Sequence, residues 1–347
     1  MAEKRRGFRN AFKIIFILLL VLGAVAAWIG YQAFIGPSVT DKQEYLYVKT
    51  DDTFDDVMRA VTEQQIVKNP AFFRYIAEAM EYPKSVKPGR YKLTEGMSNR
   101  RLIGNLRGGY QEAVKFRFEN LRLKENFAAL LGKNFEADST TFIEILDNEE
   151  LAESYGFTVD NFFTMFIPNT YEIYWNTPPN KIVARFHEEY NKFWTTERKK
   201  KAAALNLTPQ EVSVLASIVK GEALHTDEMP DIAGLYLNRL EKGMLLQADP
   251  TVIFANSDFT IRRVLNRHLT IDNPYNTYRY KGLPPGPIML PSIASIDAVL
   301  NHSKHDYIYM CAKDDFSGYH NFARTQAEHL INARKFQRAL NERNIMR

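Results

Sequence analysis

The run from Ile14 to Ile35 constrains this chain more than any other stretch, because its 22 residues carry no charge and Gln32 is its one strongly polar side chain. At 1.5 Å per residue it reaches across ~30 Å of hydrocarbon, where only a helix satisfies the backbone polar groups. Lys4, Arg5, Arg6, Arg9 and Lys13 precede it. The positive-inside rule keeps this cluster cytoplasmic and exports everything after about residue 36, with Trp28 and Tyr31 near the far interface. Ala24-Val25-Ala26 has the small-x-small pattern of a signal-peptide cleavage site, which is the competing reading. The apolar run continues about ten residues beyond it, which favours an uncleaved anchor.

A length of 347 residues calls for two or three folded units, and 45% hydrophobic with 13% aromatic residues exclude disorder. Residues 1–36 hold five cations against Glu3, leaving 40 of the 45 basic and 40 of the 41 acidic residues for the remainder. That balance argues against a broad nucleic-acid-binding face. Cys311 is the sole cysteine, so no intrachain disulfide or Cys cluster can form.

The chain divides into a basic tail (1–13), the anchor (14–36), a small module (37–111), a mostly helical connecting part (112–205) and a segment that carries the chemistry (206–347). The overall class is α+β. In the small module Tyr45–Val48 reads as a strand. Asp52 or Thr53 caps a helix bearing Val57, Met58 and Val61 on its apolar stripe, a second helix runs from about Pro70 to Met80, and Lys87-Pro88-Gly89 turns into another strand. The arrangement resembles a LysM-like glycan-binding module; a mere spacer is the alternative. The connecting part starts on a strand-like Val114–Phe118. Its run Arg198–Lys201 is either a solvated helix face or a contact for an anionic partner.

Thr208-Pro209-Gln210-Glu211 is a capping box with proline at the first helical position. Val212, Leu215, Ala216 and Val219 then recur at helical spacing, and Glu222 continues that apolar face. Desolvation there raises a carboxyl's pKa and leaves a group able to donate a proton near neutral pH. The structural alternative pairs Glu222 with an arginine such as Arg239. Downstream come Asn238-Arg239-Leu240, a stop at Gly243, Leu246–Thr251 with Gln247 and Asp249, Tyr275-Asn276-Thr277-Tyr278, and the rigid turn Gly282–Pro287 with Pro285 and Gly286. Amides, hydroxyls and aromatics in loops suit a sugar-binding cleft, although each also serves turn chemistry. His225, His302, His305 and His320 form no HExxH, so neither a metal nor another cofactor is expected.

Leu215–Glu222, Asn238–Leu240, Gly243-Met244, Leu246–Thr251, Tyr275–Tyr278, Gly282–Gly286 and Gly318–Phe322 together resemble the endolytic murein transglycosylase family, also called YceG-like. Pro168 with Thr170-Tyr171 falls in matching order, and the resemblance spans nearly the whole chain. It implies a single-pass inner-membrane enzyme with a cytoplasmic N-terminus and a periplasmic catalytic domain. Such an enzyme cuts nascent peptidoglycan strands internally, leaves 1,6-anhydro-N-acetylmuramic acid ends and works beside peptidoglycan synthases in the bilayer. It places the catalytic acid at Glu222 and a glycan on Asn238, Arg239, Gln247, Asp249, Thr251, Tyr275, Asn276, Thr277, Tyr278, Pro285, Gly286 and His320. Two positions depart from the family pattern. Lys220 replaces the first acid of the family's Glu-Lys-Glu, which leaves Glu222 as that motif's one acid. Asn169 replaces the aspartate of Phe-Pro-Asp-Thr-Tyr, and no catalytic part is assigned to it. Two alternatives remain: a lysozyme-like muramidase that uses Glu222 with Asp249, and a non-catalytic peptidoglycan-binding scaffold.

Overall fold

The computed structural model describes residues 2–343. Met1 of the basic tail and residues 344–347 of the last segment lie outside them, as do the side chains of Lys4, Arg5 and Arg6; Arg9 and Lys13 are exposed. Helix α1 (Ala2–Phe34) contains one stretch, Phe12–Phe34, long and apolar enough to cross a membrane at a mean hydropathy of 2.6. Leu18, Leu22, Trp28 and their apolar neighbours are exposed along it. The helix ends before Gly36-Pro37, and Pro37 makes an isolated β-bridge with Ser98.

Two compact units follow from the chain's contacts, one formed by residues 1–114 with 172–177 and the other by 115–171 with 178–347. In the first, β1 (Tyr45–Val48) pairs antiparallel with β2 (Gly89–Lys92), Tyr45 opposite Lys92. Between them lie α2 (Phe54–Glu63) and α3 (Pro70–Ala79), and α4 (Asn99–Gly108) comes after. Thr53 caps α2 in a full capping box with Asp56, the choice between Asp52 and Thr53 falling to the residue whose hydroxyl reaches the Asp56 N–H. Leu46, Val57, Val61, Phe73, Ile76, Tyr91 and Leu102 close a single core.

Strand β3 (Val114–Arg117), which leads into the second unit, pairs with β4 (Thr170–Ile173). Phe116 and Phe118 alternate inward with period two and meet Phe127 and Phe186, which in turn meet Phe166, while Phe118 stacks on Tyr171 at 5.6 Å. Burying each ring contributes about 1.5–3 kcal/mol, so this aromatic cluster is the main brace for the helices around it. These are α5 (Lys124–Asn134), α6 (Ser139–Leu146), α7 (Glu149–Ser154), α8 (Pro179–Phe193) and α9 (Thr196–Ala204).

Helix α10 (Pro209–Glu222) starts on the expected box, with Glu211 Oε2 accepting from the Thr208 N–H at 2.8 Å. All eight residues from Val212 to Val219 are buried, because α11 (Met229–Glu241), α12 (Asp249–Ala255) and α13 (Ile293–Leu300) pack around it. The single inward stripe read from the sequence is therefore only part of what α10 buries. Strand β5 (Tyr309–Ala312) pairs antiparallel with β6 (His320–Ala323), and α14 (Gln326–Glu342) packs on that hairpin.

Candidate active site

Glu222 is the last residue of α10; at Ala223 the backbone turns extended and leads away. Facing it from α11, Tyr236 donates its phenol hydrogen to Glu222 Oε1 at 2.9 Å. Protein on every side strips water from the carboxyl, although the residue keeps some exposure in a cleft. Burial pushes its pKa up to about 7 from an ordinary 4.5; the Tyr236 bond opposes the rise, the Asp249 charge adds to it and Arg239 opposes it. Among the described residues no ion pair within 4.0 Å involves Glu222, so the arginine-paired alternative finds no contact here.

The cleft measures about 220 Å³. Glu222, Arg239, Gln247, Asp249, Tyr278 and His320, all singled out in the sequence, line it together with Tyr236 and Cys311. Asp249 opens α12 and is exposed, and the Tyr278 phenol donates to its Oδ1 at 2.6 Å. Arg239 is buried and spends its donors on main-chain carbonyls: Nε on Ile308 at 2.6 Å, Nη1 on Leu246 at 2.7 Å. Gln247 takes the left-handed conformation at φ 51°, and its Oε1 accepts from Arg239 at 3.4 Å.

The other residues read from the sequence as glycan contacts do not line the cleft. Asn238 donates to the carbonyls of His305 and Tyr307. Thr251 and Thr277 are buried and share a hydroxyl hydrogen bond at 2.8 Å, which locks α12 to the 275–278 turn. Asn276, fully buried, ties the carbonyls of Leu269 and Ile271. Tyr275 lines a different, mainly apolar cavity of about 240 Å³ that does not include Glu222. Pro285 is exposed, while Gly286 lies so close to the Asp160 carbonyl that any Cβ would collide with it. The dense polar runs thus build the framework that holds Asp249, Tyr278 and Gln247 in place. Lys220, at the departure from the family's acid, is half-buried and donates to the Leu290 carbonyl at 3.2 Å.

Sequence reasoning missed Tyr236 and Glu228. Tyr236 sits fourteen positions beyond Glu222 across the α10–α11 turn, and nothing in its spacing marks it as the acid's partner. Glu228 holds His320 from 92 residues away. His302 and His305 lie outside the cleft, His305 facing the Asp231 carbonyl at 2.9 Å.

A carboxyl raised to about 7 in a polar cleft, with a hydroxyl donor fixed upon it, has the chemical means to give and take a proton near neutral pH. The family model described as the YceG-like family matches residues 46–335, and the chain belongs to that family. It is 29% identical over 304 residues, 81% of each chain, to a protein named endolytic murein transglycosylase from Bacillus subtilis (strain 168). It is 25% identical to one of the same name from Streptococcus pneumoniae serotype 2, the match covering 92% of this chain and 64% of the relative's length. The crystal structure of a YceG-like protein from Listeria monocytogenes shares the fold at a TM-score of 0.57 and 21% identity, covering 83% of this chain and 98% of that one.

Proposed function

We propose that this chain is a membrane-anchored lytic transglycosylase that cleaves the MurNAc–GlcNAc bond within peptidoglycan strands. The observation that carries the reading is the Glu222 carboxyl, raised to about 7 and held by Tyr236 in a cleft. Protonated Glu222 donates to the glycosidic oxygen as the bond to the anomeric carbon breaks and an oxocarbenium-like state develops. The resulting carboxylate then removes the proton from the same sugar's C6 hydroxyl, whose oxygen bonds the anomeric carbon and closes the 1,6-anhydro ring. No water is consumed, and one carboxyl serves both steps. The names of the relatives support the substrate class.

The test is mass spectrometry of products from purified glycan strands. Anhydro ends, lighter than reducing ends by one water, are expected. Reducing ends would instead establish a muramidase. Asp249→Asn keeps the Tyr278 hydrogen bond and removes a charge that raises the acid's pKa. It is expected to retain anhydro products, to lose no more than about tenfold in rate and to bring the alkaline decline of activity to lower pH. A switch of product, or complete loss with fold and glycan binding intact, would make Asp249 a direct participant.

Residues 14–36 anchor the chain in the bilayer with the body outside the cytoplasm, beside the peptidoglycan synthases of the same membrane. The basic flank and the apolar length of α1 support this topology. N-terminal sequencing is expected to find the chain uncleaved, and a mature protein starting at Ala27 would refute the anchor. The β1-α2-α3-β2 order supports a LysM-like glycan contact in the first unit.

A further inference from the structure

Glu228 and Arg239 are the charged side chains buried among the described residues, and only Arg239 lines the cleft. Glu228, 5% exposed at the end of the short 3₁₀ turn Thr226–Glu228, has no lysine or arginine partner within 4.0 Å among the described residues. Both of its oxygens go to one residue. Oε1 accepts the backbone N–H of His320 at 2.6 Å, and Oε2 faces His320 Nδ1 at 2.9 Å. An ionised carboxylate only accepts hydrogen bonds, so with Glu228 ionised Nδ1 carries the hydrogen. In the neutral ring Nε2 is then the unprotonated nitrogen, on a residue that lines the cleft with Glu222.

Three neighbouring contacts hold this pair in register. His225 Nε2 meets the Ser317 carbonyl at 2.8 Å, His225 stacks on Tyr319 with ring centroids 4.0 Å apart, and the Tyr319 phenol donates to Asp227 at 3.1 Å. Gly318, at φ 83°, lies against Leu224, where a Cβ would clash. The segment that follows Glu222 is thus stitched along its length to the β5–β6 hairpin, which sets where the His320 ring stands relative to the acid.

We infer that Glu228 is a positioning residue which fixes the ring and tautomer of His320, so that Nε2 accepts a hydrogen bond from a sugar hydroxyl of the bound glycan. The inference rests on the glycan reading above for its ligand, whereas the tautomer is a property of the free protein. In Glu228→Gln the side-chain oxygen still takes the backbone N–H, but the amide N–H₂ now donates to Nδ1. The hydrogen moves to Nε2, which can then only donate.

The test uses the full chain in detergent micelles, with ¹⁵N-labelled histidine for NMR and glycan strands for kinetics. In the parent the His320 signals, identified by their loss in His320→Ala, are expected to show hydrogen on Nδ1, and Glu228→Gln is expected to move it to Nε2. A lost substrate hydrogen bond that orients the sugar should raise KM roughly 10- to 100-fold with kcat nearly held. Adding Glu228→Gln to His320→Ala should change nothing further. Hydrogen on Nε2 in an active parent, or an equal loss from Glu228→Gln with and without His320, would overturn the inference alone. A parent that cleaves no glycan would overturn the ligand assignment together with the proposed function, the tautomer still being readable. The parent's tautomer and the His320→Ala kinetics do not depend on the folding of Glu228→Gln.

Discussion

Glu222→Gln is expected to lower anhydro-product formation by at least about 10²- to 10⁴-fold while the protein melts at or above the temperature of the parent. Glutamine keeps the shape and still accepts from Tyr236, but it transfers no proton. In the parent, kcat/KM should decline as pH rises through about 7, where the donating form is lost. The stability effect has a definite sign. The folded chain holds the Glu222 proton between 4.5 and about 7, and the unfolded chain has released it, so the contribution of this group to stability is greatest below 4.5 and falls as pH rises to 7. The full decline amounts to about 3 kcal/mol. Glutamine does not ionise and escapes it, so the advantage of the variant should widen across that interval. Paired measurements of product and melting on one preparation decide the matter: an active variant rejects the acid, and an inactive, strongly destabilised one makes Glu222 structural.

Arg239→Met is expected to cost roughly 3–5 kcal/mol of stability, measured by urea unfolding near neutral pH. Three carbonyls lose a charged donor at once: Ile308 at 2.6 Å, Leu246 at 2.7 Å and Leu245 at 3.2 Å. The guanidinium also stands 5.5 Å from the centre of the Tyr309 ring. Lysine keeps the charge but lacks the planar fork that reaches several carbonyls, so Arg239→Lys should lose most of the same stability. Because Arg239 favours the Glu222 carboxylate, its removal should also carry the alkaline decline of residual activity to higher pH. A methionine variant within about 1 kcal/mol of the parent would show that the carbonyls find other donors.

The elements legible in the sequence were those written into neighbouring residues. The apolar length of α1, the capping box at Thr208, a cap at Asp52 or Thr53 and the glycine stop after α11 need only a few positions to specify them. Gly243 adopts φ 61°, and its neighbour Met244 donates back to the Arg239 carbonyl at 2.9 Å. Glu222 stood out because an acid at the end of an apolar helix is conspicuous. The division of the polar runs into cleft and framework was not legible. Thr251 and Thr277 look the same in sequence as Asp249 and Tyr278, and burial alone separates a residue that ties two loops from one that faces solvent. Tyr236 and Glu228 were hidden for a related reason: their partners come to them through tertiary packing, with no local spacing to announce it.

Cys311 sits on β5 in the cleft wall, and the chain contains no other cysteine. A thiol-directed dye added to the unaltered protein therefore attaches at one place, beside the acid. Burial and the nearby Asp314 raise the thiol above its ordinary 9.0, so labelling runs slowly at neutral pH and quickens toward alkaline pH. Under the proposed function, a glycan strand lying in the cleft is expected to shield that sulfur. The labelling rate thus becomes a direct count of empty clefts, an occupancy gauge for ligands that are never cut.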